Sequence, residues 1–332
     1  MLSSTADHLY WMARNMERAE STARMLDVTY RMSLLKHGTS APFQEWAAVL
    51  SISGLHYQYA EAHSEINAEN VMNFMAMDES NPASIISSLR GARENARAVR
   101  GTVTSEVWEA LNHTWLMIEE RRNAGLPTDG VAEFFDWVKE RSHLSRGIAY
   151  GTMLRGEAFR FIRLGTFLER ADNTARILDV KYHILLPSLQ DVGGAADYYQ
   201  WGALLRSLSS FECYRKIYSD VITPKRVAEM LILNADLPRS LRFCIREVHR
   251  LVGEIGGPAA GELIRQVGLL QAALEYGRID DIVAQGLHEY LTNTLSHICA
   301  IGSEVSKAYF WQTAATETGQ SQSQTSFAPG LA

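Results

Sequence analysis

The sequence predicts an all-α protein, an internally duplicated helical bundle with an approximate two-fold relation between its halves. Three observations predict this. Residues 16–30, MERAESTARMLDVTY, return at 168–182 as LERADNTARILDVKY, identical at 10 of 15 positions with Glu17 and Glu169 152 residues apart. Apolar residues recur with the helical period of 3.6 rather than in the alternation of a strand. The intervals between periodic stretches hold helix stop and start signals.

Taken in order, the first helix, Thr5 to Leu35, carries the first copy of the echo and stops at His37-Gly38. The second, Ala41 to Met77, carries Trp46-Ala-Ala-Val-Leu and stops before Asn81-Pro82. Ser84 has the short hydroxyl that caps a helix start and opens the third, Ser84 to Arg122. Ala124-Gly125-Leu126-Pro127 ends it, and Asp129 caps the fourth, Val131 to Gly147. The second copy of the echo lies in Leu154 to Leu185, closed by Leu186-Pro187 and Gly193-Gly194. Tyr198 to Tyr218, Thr223 to Leu233, Pro238 to Ile255, Ala259 to Tyr276 and Gly286 to Phe310 complete the set, and the longer helices break internally.

The echo extends beyond its signature. Trp201-Gly-Ala-Leu-Leu resembles the Trp46 segment at an offset of 155, and 234–241, NADLPRSL, resembles 78–85, DESNPASI, at an offset of 156. Small loop insertions account for that drift. The expected organisation is a first repeat with its connecting segment over 1–150, a second repeat packed against it over 151–312, and a disordered tail over 313–332, where Ser, Thr, Gln and Gly replace any apolar stripe.

Composition excludes several classes. No run of 18 apolar residues is present, so no membrane span is expected. A net charge of −6 gives no general attraction for nucleic acid. Asp7, Arg14 and Glu17 interrupt the amino-terminal segment where a leader would be apolar, which points to the cytoplasm. Cys213, Cys244 and Cys299 make neither a disulfide framework nor a CxxC pattern and read as reduced core thiols. No GxSxG elbow, P-loop, dinucleotide fingerprint or HExxH is present.

Charges on the echoed helices are the chemical signal. Glu20 and Arg24 are four residues apart with the carboxylate on the N-terminal side, the favourable order, and Asp172 with Arg176 repeats it. Glu17, Glu20, Arg24 and Asp27 form a ladder, duplicated as Glu169, Asp172, Arg176 and Asp179. Arg18 and Arg170 point about 100° away, toward other contacts such as a carboxylate on a neighbouring helix. Buried charges must be paired or wet. The ladders are therefore either an ion-pair network that fixes helix docking, or the lining of a cleft where arginines bind carboxylate or phosphate and carboxylates bind an amine or metal. The Glu-x-x-His spacing of dinuclear bundles occurs once, at Glu140 and His143, so no metal and no cofactor are expected. The connecting segment adds His143, a base near neutral pH or a structural histidine, with Arg155 and Glu157.

LYWMARNMERAESTARMLD at the start, WVKERSHLSRG with TMLRGEAFRF in the connection, and RLGTFLERADNTARILD after it resemble the bacterial alpha-E domain family over essentially residues 1–310. The resemblance implies an all-helical fold with motif residues Glu17, Arg18, Arg24, Glu169, Arg170 and Arg176, joined by His143, Arg155 and Glu157. It also implies association with circularly permuted ATP-grasp proteins and transglutaminase-like proteins. The expected function is a non-catalytic partner or scaffold subunit in an ATP-grasp-type system that forms peptide or amide bonds. The alternative is an enzyme or small-molecule binder using a duplicated Glu/Arg cleft. A homo-oligomer is compatible with either.

Overall fold

The computed structural model describes residues 1–34, 42–124, 130–184 and 195–310. The anticipated tail, the Asp129 cap and the breaks at His37-Gly38, Gly125 to Pro127, Leu186-Pro187 and Gly193-Gly194 lie outside these residues. Among the described residues the chain is all-helical.

Two long helices organise the rest. α1 (Ser3–Ser33) buries Leu9, Tyr10, Met16, Ala19, Ala23 and Leu26, together with Glu17 and Glu20. α8 (Glu157–Ile184) packs against it at the centre of the molecule. Small residues set their separation: a Cβ on Gly165 would lie 2.3 Å from the Tyr10 carbonyl oxygen, so only glycine permits this approach. The other connecting-segment glycines, 147, 151 and 156, face open space.

The expected helix from Ala41 to Met77 is three: α2 (Pro42–Ser53), α3 (His56–Ala62) and α4 (Ala68–Ala76). Gly54, at φ +69°, ends the first, and the Asn67 side chain accepts from Asn70 N to start the last. Ser84 caps α5 (Ile85–Ala98), but a turn around Gly101 separates it from α6 (Ser105–Ala124). α7 (Val131–Thr152) runs five residues past its anticipated end. The Tyr198 to Tyr218 stretch divides into α9 (Ala195–Ser207) and α10 (Phe211–Tyr218), with Ser209 at φ +53° between them. α11 (Pro224–Leu233) has Thr223 as its cap and proline in its first turn. α12 (Leu241–Ile255) starts on Ser240, whose hydroxyl accepts from Phe243 N, and α13 (Gly261–Glu275) follows. A short α14 (Ile279–Gln285), absent from the sequence reading, precedes α15 (Leu287–Val305), which ends in a π-helical turn, Ser306–Phe310.

Like neighbours recur in like order. α5 and α7 pack on α1, as α12 and α15 pack on α8, while α9 crosses to α1 and α2 crosses to α8. Each long helix thus packs against two neighbours from its own half of the sequence and one from the other. Small details recur with it. Trp46 and Trp201 are both buried. The Tyr59 hydroxyl donates to the Glu65 carbonyl at 2.7 Å, and Tyr214 to that of Val221 at 3.1 Å. Gly130 and Gly286, at φ +97° and +103°, precede α7 and α15. One contiguous apolar core extends from Ala6 to Val305.

Candidate functional site

The echoed charges meet at the α1–α8 contact, where the two Glu-Arg dipeptides exchange partners. Arg170 Nε donates to Glu17 Oε1 at 2.9 Å, and Arg18 Nε donates to Glu169 Oε1 at 2.7 Å. The neighbouring-helix carboxylate expected for Arg18 and Arg170 is thus the glutamate of the other copy. Arg14, from the turn before Glu17, adds a second guanidinium to Glu169 at 2.6 Å.

Glu17 and Glu20 form the more heavily charged set. Arg239, just before the α12 cap, bridges them, with Nη1 2.9 Å from Glu17 Oε1 and Nη2 2.8 Å from Glu20 Oε1. From α7, Arg146 Nη1 lies 2.8 Å from Glu17 Oε2 and 2.5 Å from Glu20 Oε2, and the Ser142 hydroxyl donates to Glu20 Oε2 at 2.8 Å. Arg24 Nε reaches Glu20 at 2.9 Å, the expected i,i+4 pair. Glu17 is 1 % and Glu20 0 % exposed.

The line of charges therefore does not run down each helix as expected. Glu17 pairs with α7, α8 and Arg239 rather than with Arg24. Asp27 accepts from Arg31 at 2.7 Å and from Lys139 of α7 at 2.8 Å. Asp172 and Arg176 pair as anticipated, at 2.8 and 3.1 Å, and Asp179 meets His288 of α15 at 2.7 Å. Arg155 and Glu157 stand apart from the cluster. Arg155 lies over the Tyr150 and Phe159 rings, 4.1 and 4.2 Å from their centres, and Glu157 accepts from the Met1 amino group at 3.0 Å.

Electrostatics hold the carboxylates charged. Burial alone would raise the Glu169 carboxyl, yet Arg14 and Arg18 outweigh it and hold the group at about 2. Burial is likewise overcome at Glu17 by Arg170, Arg239 and Arg146, and at Glu20 by Arg239, Arg146 and Arg24, so both lie below the usual carboxylate range. His143 joins the cluster at its rim, 55 % exposed. Its Nε2 and Nδ1 each lie 3.0 Å from a guanidinium nitrogen, of Arg24 and Arg146. A neutral imidazole has one acceptor nitrogen, so only one of these contacts is a hydrogen bond. Burial, then Arg146 and Arg24 against Glu20, depresses the ring's pKa. His143 is consequently neutral near pH 7, with its ring nitrogens faced by cations.

Sequence reasoning passed over Arg14, Arg239, Ser142, Lys139 and His288 as partners. Arg239 had a signal: in the aligned NADLPRSL and DESNPASI it stands opposite Ala83. The cysteines also depart from expectation. Cys244 is buried, and burial pushes its thiol up to about 12, but Cys299 is exposed. Among the described residues no three His, Cys, Asp or Glu side chains are placed to hold a metal ion. None of their helices is long and apolar enough to cross a membrane.

Comparison with known proteins bears on these residues. A family model described as a predicted alpha-helical domain with a conserved ER motif matches residues 1–310. An uncharacterized protein of Mycobacterium bovis is 22 % identical over 316 residues, covering 88 % of this chain and 35 % of that protein. Two uncharacterized Mycobacterium tuberculosis proteins match to the same extent. The chain spans about a third of the length of these curated relatives. No solved structure matches the chain.

Proposed function

The chain belongs to the Alpha-E family, and from that premise we propose that it is a non-catalytic helical partner or scaffold subunit in an ATP-grasp-type system that forms peptide or amide bonds. One observation carries this reading. Glu17, Glu20 and Glu169 are buried and each is met by two or more guanidiniums that hold it ionised, so none is free to give or take a proton as a general acid or base. A general acid or base must reach the proton it moves. The motif's work on this reading is to lock α1 to α8 and give the bundle one fixed surface.

Two further features favour a partner. In the curated relatives the matched region is joined to further polypeptide. At the turn between α7 and α8, Leu154 is 90 % exposed beside exposed Tyr150, a small apolar face where association would bury surface. The partners on this reading are a circularly permuted ATP-grasp protein and a transglutaminase-like protein, met in the cytoplasm.

Mixing the purified chain with each partner and following the mixture by size-exclusion chromatography with light scattering tests the proposal. A stoichiometric complex with the ATP-grasp protein is expected. Separate elution at tens of micromolar of each protein would overturn the partner reading.

A further inference from the structure

The two charged sets are not equivalent, and their difference leaves a space. Arg239 bridges Glu17 and Glu20, whose positions in the echo correspond to Glu169 and Asp172. Ala83 stands where the counterpart of Arg239 would be. Both residues directly precede a capping serine, Ser84 accepting from Ser87 N and Ser240 from Phe243 N, so their backbones enter the next helix alike. Among the described residues no bridging guanidinium spans Glu169 and Asp172. In its place lies a crevice of about 90 Å³ whose walls include Arg18, Ser21, Ala83, Glu169, Asp172 and Arg176.

A second observation on the crevice wall concerns Ser21. Ser21 is 4 % exposed, and its hydroxyl has no hydrogen-bond partner among the described residues. Leaving a buried hydroxyl unpaired is costly, so a polar group that reached Ser21 from the crevice would recover that cost. The acceptors are also unfilled. Glu169 Oε1 takes one bond, from Arg18, and each Asp172 oxygen takes one, from Arg176. A carboxylate oxygen has two lone pairs.

We propose that this crevice binds a small guanidinium compound, whose head group occupies the place that Arg239 fills in the other set. The planar fork donates to Glu169 and Asp172 together, and the Ser21 hydroxyl accepts from its edge. The cations already present do not forbid this. Arg239 itself sits among Arg24, Arg146 and Arg170, held there because it spans two carboxylates. A carboxylate ligand would instead have to draw Arg18 away from Glu169 or Arg176 away from Asp172.

Titration calorimetry of the full chain with agmatine, against matched sodium chloride and sodium acetate, tests the assignment. One equivalent of agmatine is expected to bind saturably. Asp172→Asn should weaken binding about tenfold, and Ala83→Arg, which supplies the missing fork from within, should abolish it. Arg239→Ala opens the corresponding space between Glu17 and Glu20 and should admit a second equivalent. Absence of saturable binding, binding unaltered by Asp172→Asn, or saturation by acetate instead of agmatine would overturn the proposal. Should Ala83→Arg fail to fold, Asp172→Asn decides alone.

Discussion

Replacing Glu17 with glutamine isolates the electrostatic part of the helix lock, because the two side chains have nearly the same shape and leave no cavity. Glu17 accepts from Arg170 at 2.9 Å, and Arg239 and Arg146 lie 2.9 and 2.8 Å away, all at a site 1 % exposed. Removing one partner of a buried ion pair costs about 3–5 kcal/mol, since the partner charges stay buried without compensation. Three guanidiniums share this carboxylate, so Glu17→Gln belongs at the upper end of that range. Glu262→Gln is the control. Its bond to Arg265 is as short, 2.7 Å, but lies in water, where solvent screening leaves such a pair little net worth. Urea denaturation followed by circular dichroism measures both. Adding Arg170→Gln to Glu17→Gln should cost less than the sum of the single changes, with a coupling of about 0.5–3 kcal/mol. A loss below about 1 kcal/mol for Glu17→Gln would refute the reasoning, because a buried lock cannot be that weak.

Acid should weaken the fold through the same groups. The Glu169 carboxyl is held at about 2 against an ordinary 4.5, so its contribution is complete above pH 4.5 and is lost as pH falls toward 2. At about 1.4 kcal/mol per unit, that loss is on the order of 3 kcal/mol. Glu17 and Glu20 act in the same direction, and Glu169→Gln should flatten the slope of stability against pH below 4.5. Gly165→Ala should cost about 1–3 kcal/mol by forcing α8 off the Tyr10 carbonyl, whereas Gly151→Ala, in open space within α7, should be neutral or stabilising in the same melt. On the proposed partner reading, Leu154→Asp should leave the melting temperature within about 2 °C while weakening association with the proposed ATP-grasp partner at least tenfold, as read by light scattering.

The helical class was legible because apolar periodicity and breakers are local properties of the chain. So was the pairing of Asp172 with Arg176 and of Glu20 with Arg24, which helical spacing alone brings together. The breaks inside long periodic stretches were harder. Gly54 and Ser209 both turn the chain through positive φ, yet the apolar pattern continues across them, and a serine carries no general signal for that conformation. The site was half visible. The turn of Arg18 and Arg170 away from the ladder pointed to another helix, but which carboxylate they meet depends on how closely α1 and α8 approach. Arg14, Arg146 and Arg239 arrive from positions where an arginine on a solvated face would look identical in sequence. Only the contrast of Arg239 with Ala83 singles one of them out, and it gains meaning once both are seen beside paired carboxylates.

The exchange of partners between Glu17-Arg18 and Glu169-Arg170 makes neither stretch self-sufficient. Divide the chain in the turn between α7 and α8, and the second fragment keeps Glu169 while losing both Arg14 and Arg18, its guanidinium partners. The first keeps Arg146 beside Glu17 but surrenders Arg170 and Arg239. Each fragment would present an undercompensated charge on the face it needs for folding, so the two should acquire full structure only on being mixed. A change of sign at one motif likewise calls for the opposite change at the other, 152 residues away. Two segments remote in the chain are thereby bound to change together.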